Sequence, residues 1–66
     1  MNKFAERLKE LRKQKGVTGM KVAEDIGCTK QCLYAYERGQ RIPRDPMKYK
    51  LAEYYGIGVY ELFYNF

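Results

Sequence analysis

The sequence contains no histidine and no serine, and these absences limit the chemistry that the chain can perform. Histidine is the commonest general base near neutral pH, and serine is a common hydroxyl nucleophile. The two threonines, Thr18 and Thr29, stand where helices are expected to begin and are needed there as caps. Glu24 and Asp25 are adjacent, and a helix would point their carboxylates apart. We therefore expect that the protein is not an enzyme.

Cysteine is scarce, with Cys28 and Cys32 as the two thiols of the chain. Because there is no histidine, a four-ligand zinc site would need two carboxylates or a second chain, so we expect no metal and no cofactor. If Thr29 caps a helix, Cys28 points into the core and Cys32 lies in the first helical turn, both as reduced, structural thiols. The alternative is a redox switch at Cys32, because a helix N-terminus lowers the pKa of a thiol.

Long hydrophobic runs are also missing, since the longest uncharged stretch, residues 54–60, is far too short to cross a bilayer. We expect a cytoplasmic protein with no membrane partner and no small-molecule ligand. The 66 residues predict one small domain, residues 1–66. The 13 Lys and Arg outnumber the 8 Asp and Glu, and the net charge of +5 favours a polyanionic partner, such as nucleic acid or an anionic membrane, over a merely solvated basic surface.

Glycines divide the chain into segments with helical periodicity. Four of the six glycines follow such a segment, as residues just past a helix end do: Gly16, Gly27, Gly39 and Gly56. The first helix is predicted from about Lys3 to Lys15, with Asn2 as its cap. Its inward stripe is Phe4, Leu8 and Leu11. The fourth helix is predicted from Asp45-Pro46, an N-cap and a first helical proline, to about Tyr55, and a short fifth helix near Val59 to Phe63. The pattern predicts an all-α fold of five helices.

Residues 19–38 predict the second and third helices, folded around a glycine turn. Two apolar stripes at helical spacing would face each other across the turn: Val22 with Ile26, and Leu33 with Tyr36. Ala23 lies where the two helices must approach most closely, and Gly27 where the chain leaves a helix in a left-handed conformation. Thr29 can then cap the next helix. This spacing is typical of a DNA-binding helix-turn-helix.

The motif and its surroundings resemble the phage repressor and Cro family of helix-turn-helix proteins over nearly the whole chain. The matching residues occur in order and at the right separations: Arg12 and Gly16, Thr18, Tyr36–Gly39, Ile42–Pro43, Leu51–Ala52, Gly56–Ile57 and Glu61–Leu62. The resemblance implies a compact, lambda-repressor-like fold with the helix-turn-helix at the second and third helices. It also implies a bacterial or phage regulator of transcription that binds specific double-stranded DNA and represses by occupying its operator.

Predicted base contacts lie near the start of the third helix, because that helix enters the major groove in a helix-turn-helix. They are Thr29, Lys30, Gln31, Tyr34 and Ala35. Lys30 can donate to guanine O6 and N7, and Gln31 can pair with adenine N6 and N7. Tyr34 can pack on a thymine methyl group or donate to a phosphate, whereas Ala35 has no group for a base-edge hydrogen bond. The alternative is an ordinary polar, solvated helix face.

Predicted phosphate contacts lie at two helix N-termini and in the basic loop after the third helix, since free N–H groups and cations both bind phosphate. They are Thr18, Gly19, Arg38, Gln40, Arg41 and Arg44. The resemblance further implies that Glu37 pairs with Arg12 and ties the first helix to the third. The alternative for Glu37 is an unpaired surface acid.

Two positions depart from the family pattern. Gly19 stands where the family often has a glutamine that reaches a phosphate. Because Ala35 in addition can make no base-edge hydrogen bond, direct readout of bases is expected to be sparse. Lys48 stands at a place in the fourth helix that is usually apolar. We therefore expect the buried stripe of that helix to shift onto Met47, Leu51 and Tyr55.

Aromatic residues crowd the C-terminus in greater number than so small a core can bury. They predict a homodimer interface at Tyr60, Phe63, Tyr64 and Phe66. We expect the free protein to be largely monomeric and to dimerise on DNA, where binding to both half-sites adds free energy. Two-fold pairing would place two reading helices about 34 Å apart, as successive major grooves require. One alternative is that Phe63 alone packs inward and the tail from Tyr64 frays. Another is that the same fold is a protein-interaction module, of antitoxin or anti-repressor type.

Overall fold

The computed structural model describes residues 3–64, and this part of the chain contains five α-helices and no strand. In chain order the helices are α1 (Lys3–Lys15), α2 (Gly19–Ile26), α3 (Lys30–Glu37), α4 (Asp45–Tyr55) and α5 (Val59–Phe63). The prediction of an all-α, five-helix, lambda-repressor-like fold is confirmed. The cap expected at Asn2 lies outside the described residues.

Both helices of the motif begin at a threonine, as predicted. The Thr18 side-chain oxygen accepts from the Lys21 backbone N–H at 3.1 Å, and the Thr29 oxygen accepts from the Cys32 N–H at 3.0 Å. Each threonine has extended backbone, so the hydroxyl turns back onto N–H groups that have no partner within the helix. These caps fix where α2 and α3 start.

The start of α4 differs from the prediction by one residue. Asp45 was expected as the N-cap, but Arg44 has the extended backbone of that position and Asp45 is the first helical residue. Pro46 follows inside the first turn, where its missing N–H costs no helical hydrogen bond. The Asp45 carboxylate lies 3.8 Å from Lys48 Nζ. It makes no capping hydrogen bond, but its negative charge interacts favourably with the positive N-terminal end of the helix dipole.

Left-handed backbone ends the helical segments at the predicted glycines. All four have φ between 68° and 82°, a region that costs other residues energy: Gly16, Gly27, Gly39 and Gly56. At Gly27 the backbone N–H donates to the Ala23 carbonyl oxygen, which closes α2 and redirects the chain into α3.

The core draws side chains from all five helices. Its fully buried members are Leu8, Val22, Leu33, Leu51 and Leu62. Phe63 is buried with them and its ring centroid lies 5.6 Å from that of Phe4, so it joins α5 to α1. The prediction of Phe63 as a dimer contact is therefore wrong, because burial in its own core removes the ring from the surface.

Lys48, which stands where the resemblance implies an apolar residue, has partners for its charge. Its Nζ donates to the Tyr64 hydroxyl at 2.7 Å and lies 5.6 Å from the Phe63 ring centroid. The buried residues of α4 are Leu51 and Ala52, while the expected Met47 and Tyr55 are half-buried against the core. The buried stripe of α4 thus includes Ala52, which was not among the residues predicted for it.

Candidate nucleic-acid interface

The first turn of α3 presents an exposed polar surface. Thr29, Lys30 and Gln31 are all exposed, and Cys32 behind them is half-buried. The Thr29 oxygen is engaged as the helix cap, which leaves the side chains of Lys30 and Gln31 as the long polar groups of this turn. Their chemistry suits guanine and adenine edges, respectively.

Ala35 does not lie on this exposed surface. The residue is buried, and its carbonyl oxygen accepts from the backbone N–H groups of Gln40 at 2.9 Å and Arg41 at 3.3 Å. These bonds close the C-terminal end of α3 around the left-handed Gly39. The prediction of Ala35 as an exposed base contact is wrong, because the residue is buried and helical spacing alone does not reveal which residues packing will cover.

Gly19 is also buried, contrary to the exposure that a phosphate contact would need. The ring of Tyr34, itself half-buried, covers this glycine at the start of α2. Tyr34 therefore does not extend along the exposed side of α3 beside Gln31. The close approach of ring to backbone depends on the packing of two helices, which the sequence did not indicate.

The basic loop that follows α3 and leads to α4 carries exposed polar side chains. Those predicted to contact phosphates are all exposed: Arg38, Gln40, Arg41 and Arg44. Arg38 Nε donates to Gln40 Oε1 at 3.2 Å, and one Arg41 nitrogen lies 3.5 Å from Cys32 Sγ. The first contact holds the guanidinium group of Arg38 against the loop, and the second holds that of Arg41 next to the first turn of α3. Thr18, exposed at the start of α2, completes the predicted set.

A nearly buried ion pair joins α3 to α1. Arg12 Nε donates to Glu37 Oε2 at 2.8 Å, with 15% and 3% of the two side chains exposed. Another Arg12 nitrogen donates to the Val17 carbonyl oxygen at 3.2 Å, just before α2. The Glu37 hydrogen bond is the main cause that raises the pKa of Arg12. The structure thus brings together the two residues that the resemblance paired.

Tyr55 adds a buried hydroxyl to this part of the core. Within residues 3–64 its oxygen is the one buried side-chain polar atom without a hydrogen-bond partner. Burial, followed by the negative charge of Glu37, raises the pKa of the phenol, so Tyr55 stays neutral.

The two cysteines are free thiols, placed as the sequence predicted. Cys28 is half-buried and packs against the core, and Cys32 lies in the first turn of α3. Burial, and then the neighbouring Cys32, raises the pKa of the Cys28 thiol. Burial also raises the pKa of Tyr36 to about 12. Among residues 3–64 there is no cluster of three or more His, Cys, Asp or Glu side chains that could hold a metal ion.

A polar cluster between α2 and α4 was not predicted from the sequence. Tyr54 donates its hydroxyl to Asp25 Oδ2 at 2.7 Å, and Lys21 Nζ lies 3.2 Å from the other carboxylate oxygen. The Tyr54 hydrogen bond, and then Lys21, lowers the pKa of Asp25. The four-residue spacing of Lys21 and Asp25 was a visible signal, but the approach of Tyr54 from α4 had none.

Two of the C-terminal aromatic residues remain on the surface. Tyr60 is 65% exposed and Tyr64 is 54% exposed, with ring centroids 6.2 Å apart. Together they form an apolar patch at the end of α5. Phe66, the last residue predicted for a dimer interface, lies outside the described residues.

A family profile described as a helix-turn-helix domain matches residues 5–65. The chain belongs to this helix-turn-helix domain family. The domain is 34% identical over 59 residues to the cryptic phage CTXphi transcriptional repressor RstR of Vibrio cholerae. The alignment covers 89% of this chain and 53% of that protein, so the domain spans about half the length of the curated relative. The predicted resemblance of this domain to phage repressors is confirmed.

The same domain has no helix, within residues 3–64, that is long and apolar enough to cross a membrane.

Proposed function

We propose that this helix-turn-helix domain binds double-stranded DNA through α3 and represses transcription by occupying an operator. The observation that carries the proposal is the exposed first turn of α3, with Lys30 and Gln31, bordered by the exposed cations of the following loop. A recognition helix needs this combination, because base edges supply specificity and phosphates supply orientation.

The roles follow from side-chain chemistry. Lys30 donates to guanine and Gln31 pairs with adenine, while Thr29 adds a short polar group at the helix start. The phosphate contacts come from Arg38, Gln40, Arg41 and Arg44, together with the N-terminus of α2 at Thr18. Ala35 and Gly19 are left out of this proposed set because both are buried.

Repression by steric exclusion is the simplest mechanism for a domain of this size. It is supported by similarity to a protein named as a transcriptional repressor. On this proposal the protein acts in the cytoplasm on DNA, without catalysis, cofactor or small-molecule ligand. Nothing in the family description indicates an enzyme.

A homodimer on a pseudo-palindromic site is part of the proposal. Tyr60 and Tyr64 are the exposed aromatic groups that support it, and pairing across a two-fold axis would set two copies of α3 about 34 Å apart. The patch is small, so we expect association to be complete only when both half-sites are bound.

Selection of bound sequences from a random duplex pool tests the proposal. A consensus with two-fold symmetry is expected, and affinity should fall steeply with salt, because each neutralised phosphate contributes about 0.9 logarithmic units per decade of salt. Absence of duplex binding at low salt would refute DNA recognition. That result would favour the second candidate, a protein-interaction module of antitoxin or anti-repressor type, for which the exposed Tyr60 and Tyr64 would supply the contact surface.

A further inference from the structure

Tyr34 of α3 lies across the first residue of α2. A Cβ atom added to Gly19 would come within 2.5 Å of both Cζ and Oη of the Tyr34 ring. No side chain fits at position 19 while the ring stays there, because real Cβ contacts are longer than this. Gly19 is not one of the glycines with positive φ, so space for the ring, and not backbone freedom, accounts for the glycine.

The ring is also held from α1. Arg12 Cζ lies 5.8 Å from the Tyr34 ring centroid, within the range of a cation–π contact. Arg12 in turn is hydrogen-bonded to Glu37, the last residue of α3. The ring is therefore positioned by two neighbouring helices, and its polar end stands over the start of α2.

This placement separates Tyr34 from the base-reading side chains. A residue that reads a base must extend from α3 into the groove, as Lys30 and Gln31 are free to do. A ring that covers Gly19 and contacts Arg12 is turned toward α2 instead. Its hydroxyl lies over the residue next to Thr18, where the proposed interface meets the DNA backbone.

We propose that Tyr34 contacts a DNA phosphate and not a base, and that Gly19 is the residue that permits it. The Tyr34 hydroxyl, held over Gly19, donates to the phosphate oxygen that faces the start of α2. This inference rests on the proposed DNA-binding function and specifies how α2 and α3 share one phosphate contact.

Tyr34→Phe is the first test, because it keeps the ring over Gly19 and removes the hydroxyl. Measured by fluorescence anisotropy, affinity should fall roughly tenfold on the selected site and on unrelated duplexes alike. The salt dependence should not change, since a neutral hydroxyl releases no counterion, whereas loss of a cation lowers the slope. Tyr49→Phe is the matched control, because Tyr49 is an exposed tyrosine of α4, and it should bind as the parent does.

Gly19→Ala is the second test, because the added methyl group must displace the ring. It should weaken binding at least as much as Tyr34→Phe, but should add little further loss in a Tyr34→Ala background. Gly58→Ala is its control, since a Cβ at Gly58 meets its nearest atom at an ordinary 3.4 Å. Thermal unfolding of every variant checks folding, and Tyr34→Phe, which keeps the packing, remains decisive if Gly19→Ala unfolds.

Three outcomes would overturn the inference while leaving the proposed function intact. Tyr34→Phe could bind as the parent does, it could alter preference at a single base pair, or the losses from Gly19→Ala and Tyr34→Ala could simply add. If the parent protein binds no duplex at all, the proposed function fails, and this inference fails with it.

Discussion

Replacing Arg12 by methionine should destabilise the domain by about 3 kcal/mol. Only 3% of the Glu37 side chain is exposed, so the change leaves a carboxylate almost without water and without its 2.8 Å hydrogen bond. Breaking a buried ion pair on one side costs about 3–5 kcal/mol, and we take the lower end because 15% of Arg12 is exposed. For a domain of this size the melting temperature should fall by roughly 12–24 °C.

A double-mutant cycle isolates the interaction between the two side chains. Arg12→Met and Glu37→Met should each be strongly destabilising, while the double variant should be much less so than their sum, because an apolar pair tolerates burial better than a single charge. We expect a coupling energy of about 2 kcal/mol, measured by urea denaturation followed by circular dichroism. A coupling energy indistinguishable from zero would refute the reasoning. The exposed pair Lys21 and Asp25 provides the control cycle, which should show far weaker coupling.

Three further predictions concern DNA binding, acid stability and assembly. Arg41→Ala should weaken binding to all duplexes alike and reduce the slope of log affinity against log salt by about 0.9. Gln31→Ala should instead cost about 1–3 kcal/mol of binding free energy on the selected site and relax the choice at one base pair. If both changes weaken binding to all sequences equally, Gln31 does not contact a base. The pKa of Asp25 is lowered in the folded state, so its carboxylate stabilises the fold above its ordinary pKa of 3.8, and this stabilisation is lost as pH falls below that value. Asp25→Asn should therefore flatten the acid limb of the stability curve, and an unchanged limb would contradict the assignment. Replacing Tyr60 and Tyr64 by serine should abolish cooperative binding to two half-sites while single-site affinity is kept, as measured by gel shift on one-site and two-site duplexes; retained cooperativity would place the dimer contact elsewhere.

Local signals in the sequence were sufficient for the helices. Glycines in left-handed conformation and threonine caps act through hydrogen bonds within a few residues, so the ends of α2 and α3 could be predicted from spacing alone. The shift from Asp45 to Arg44 at the start of α4 shows the limit of such signals. Asp45 and Arg44 can both precede a helix, and backbone conformation decides between them.

The candidate site was less accessible to prediction, because its details depend on packing between distant segments. Ala35 was expected beside the base-contacting side chains because its position in α3 does not show that tertiary packing buries it. Phe63 was expected at an interface because composition cannot tell which of several aromatic residues will meet Phe4. The contact of Tyr34 with Gly19 joins two helices, and its one signal in the sequence was the glycine at a position where the family often has glutamine.

In the proposed complex with DNA, the ion pair between Arg12 and Glu37 would also determine where the entropic cost of recognition falls. Glu37 is the last residue of α3, so the C-terminal end of the reading helix is anchored to α1 before any DNA arrives. The helix then needs little ordering on binding, and the cost is confined to long side chains such as Lys30 and Gln31, at about 0.5–1.5 kcal/mol each. On the proposed function, base preference should therefore be altered most readily by exchanging those two side chains while the ion pair that anchors α3 is kept.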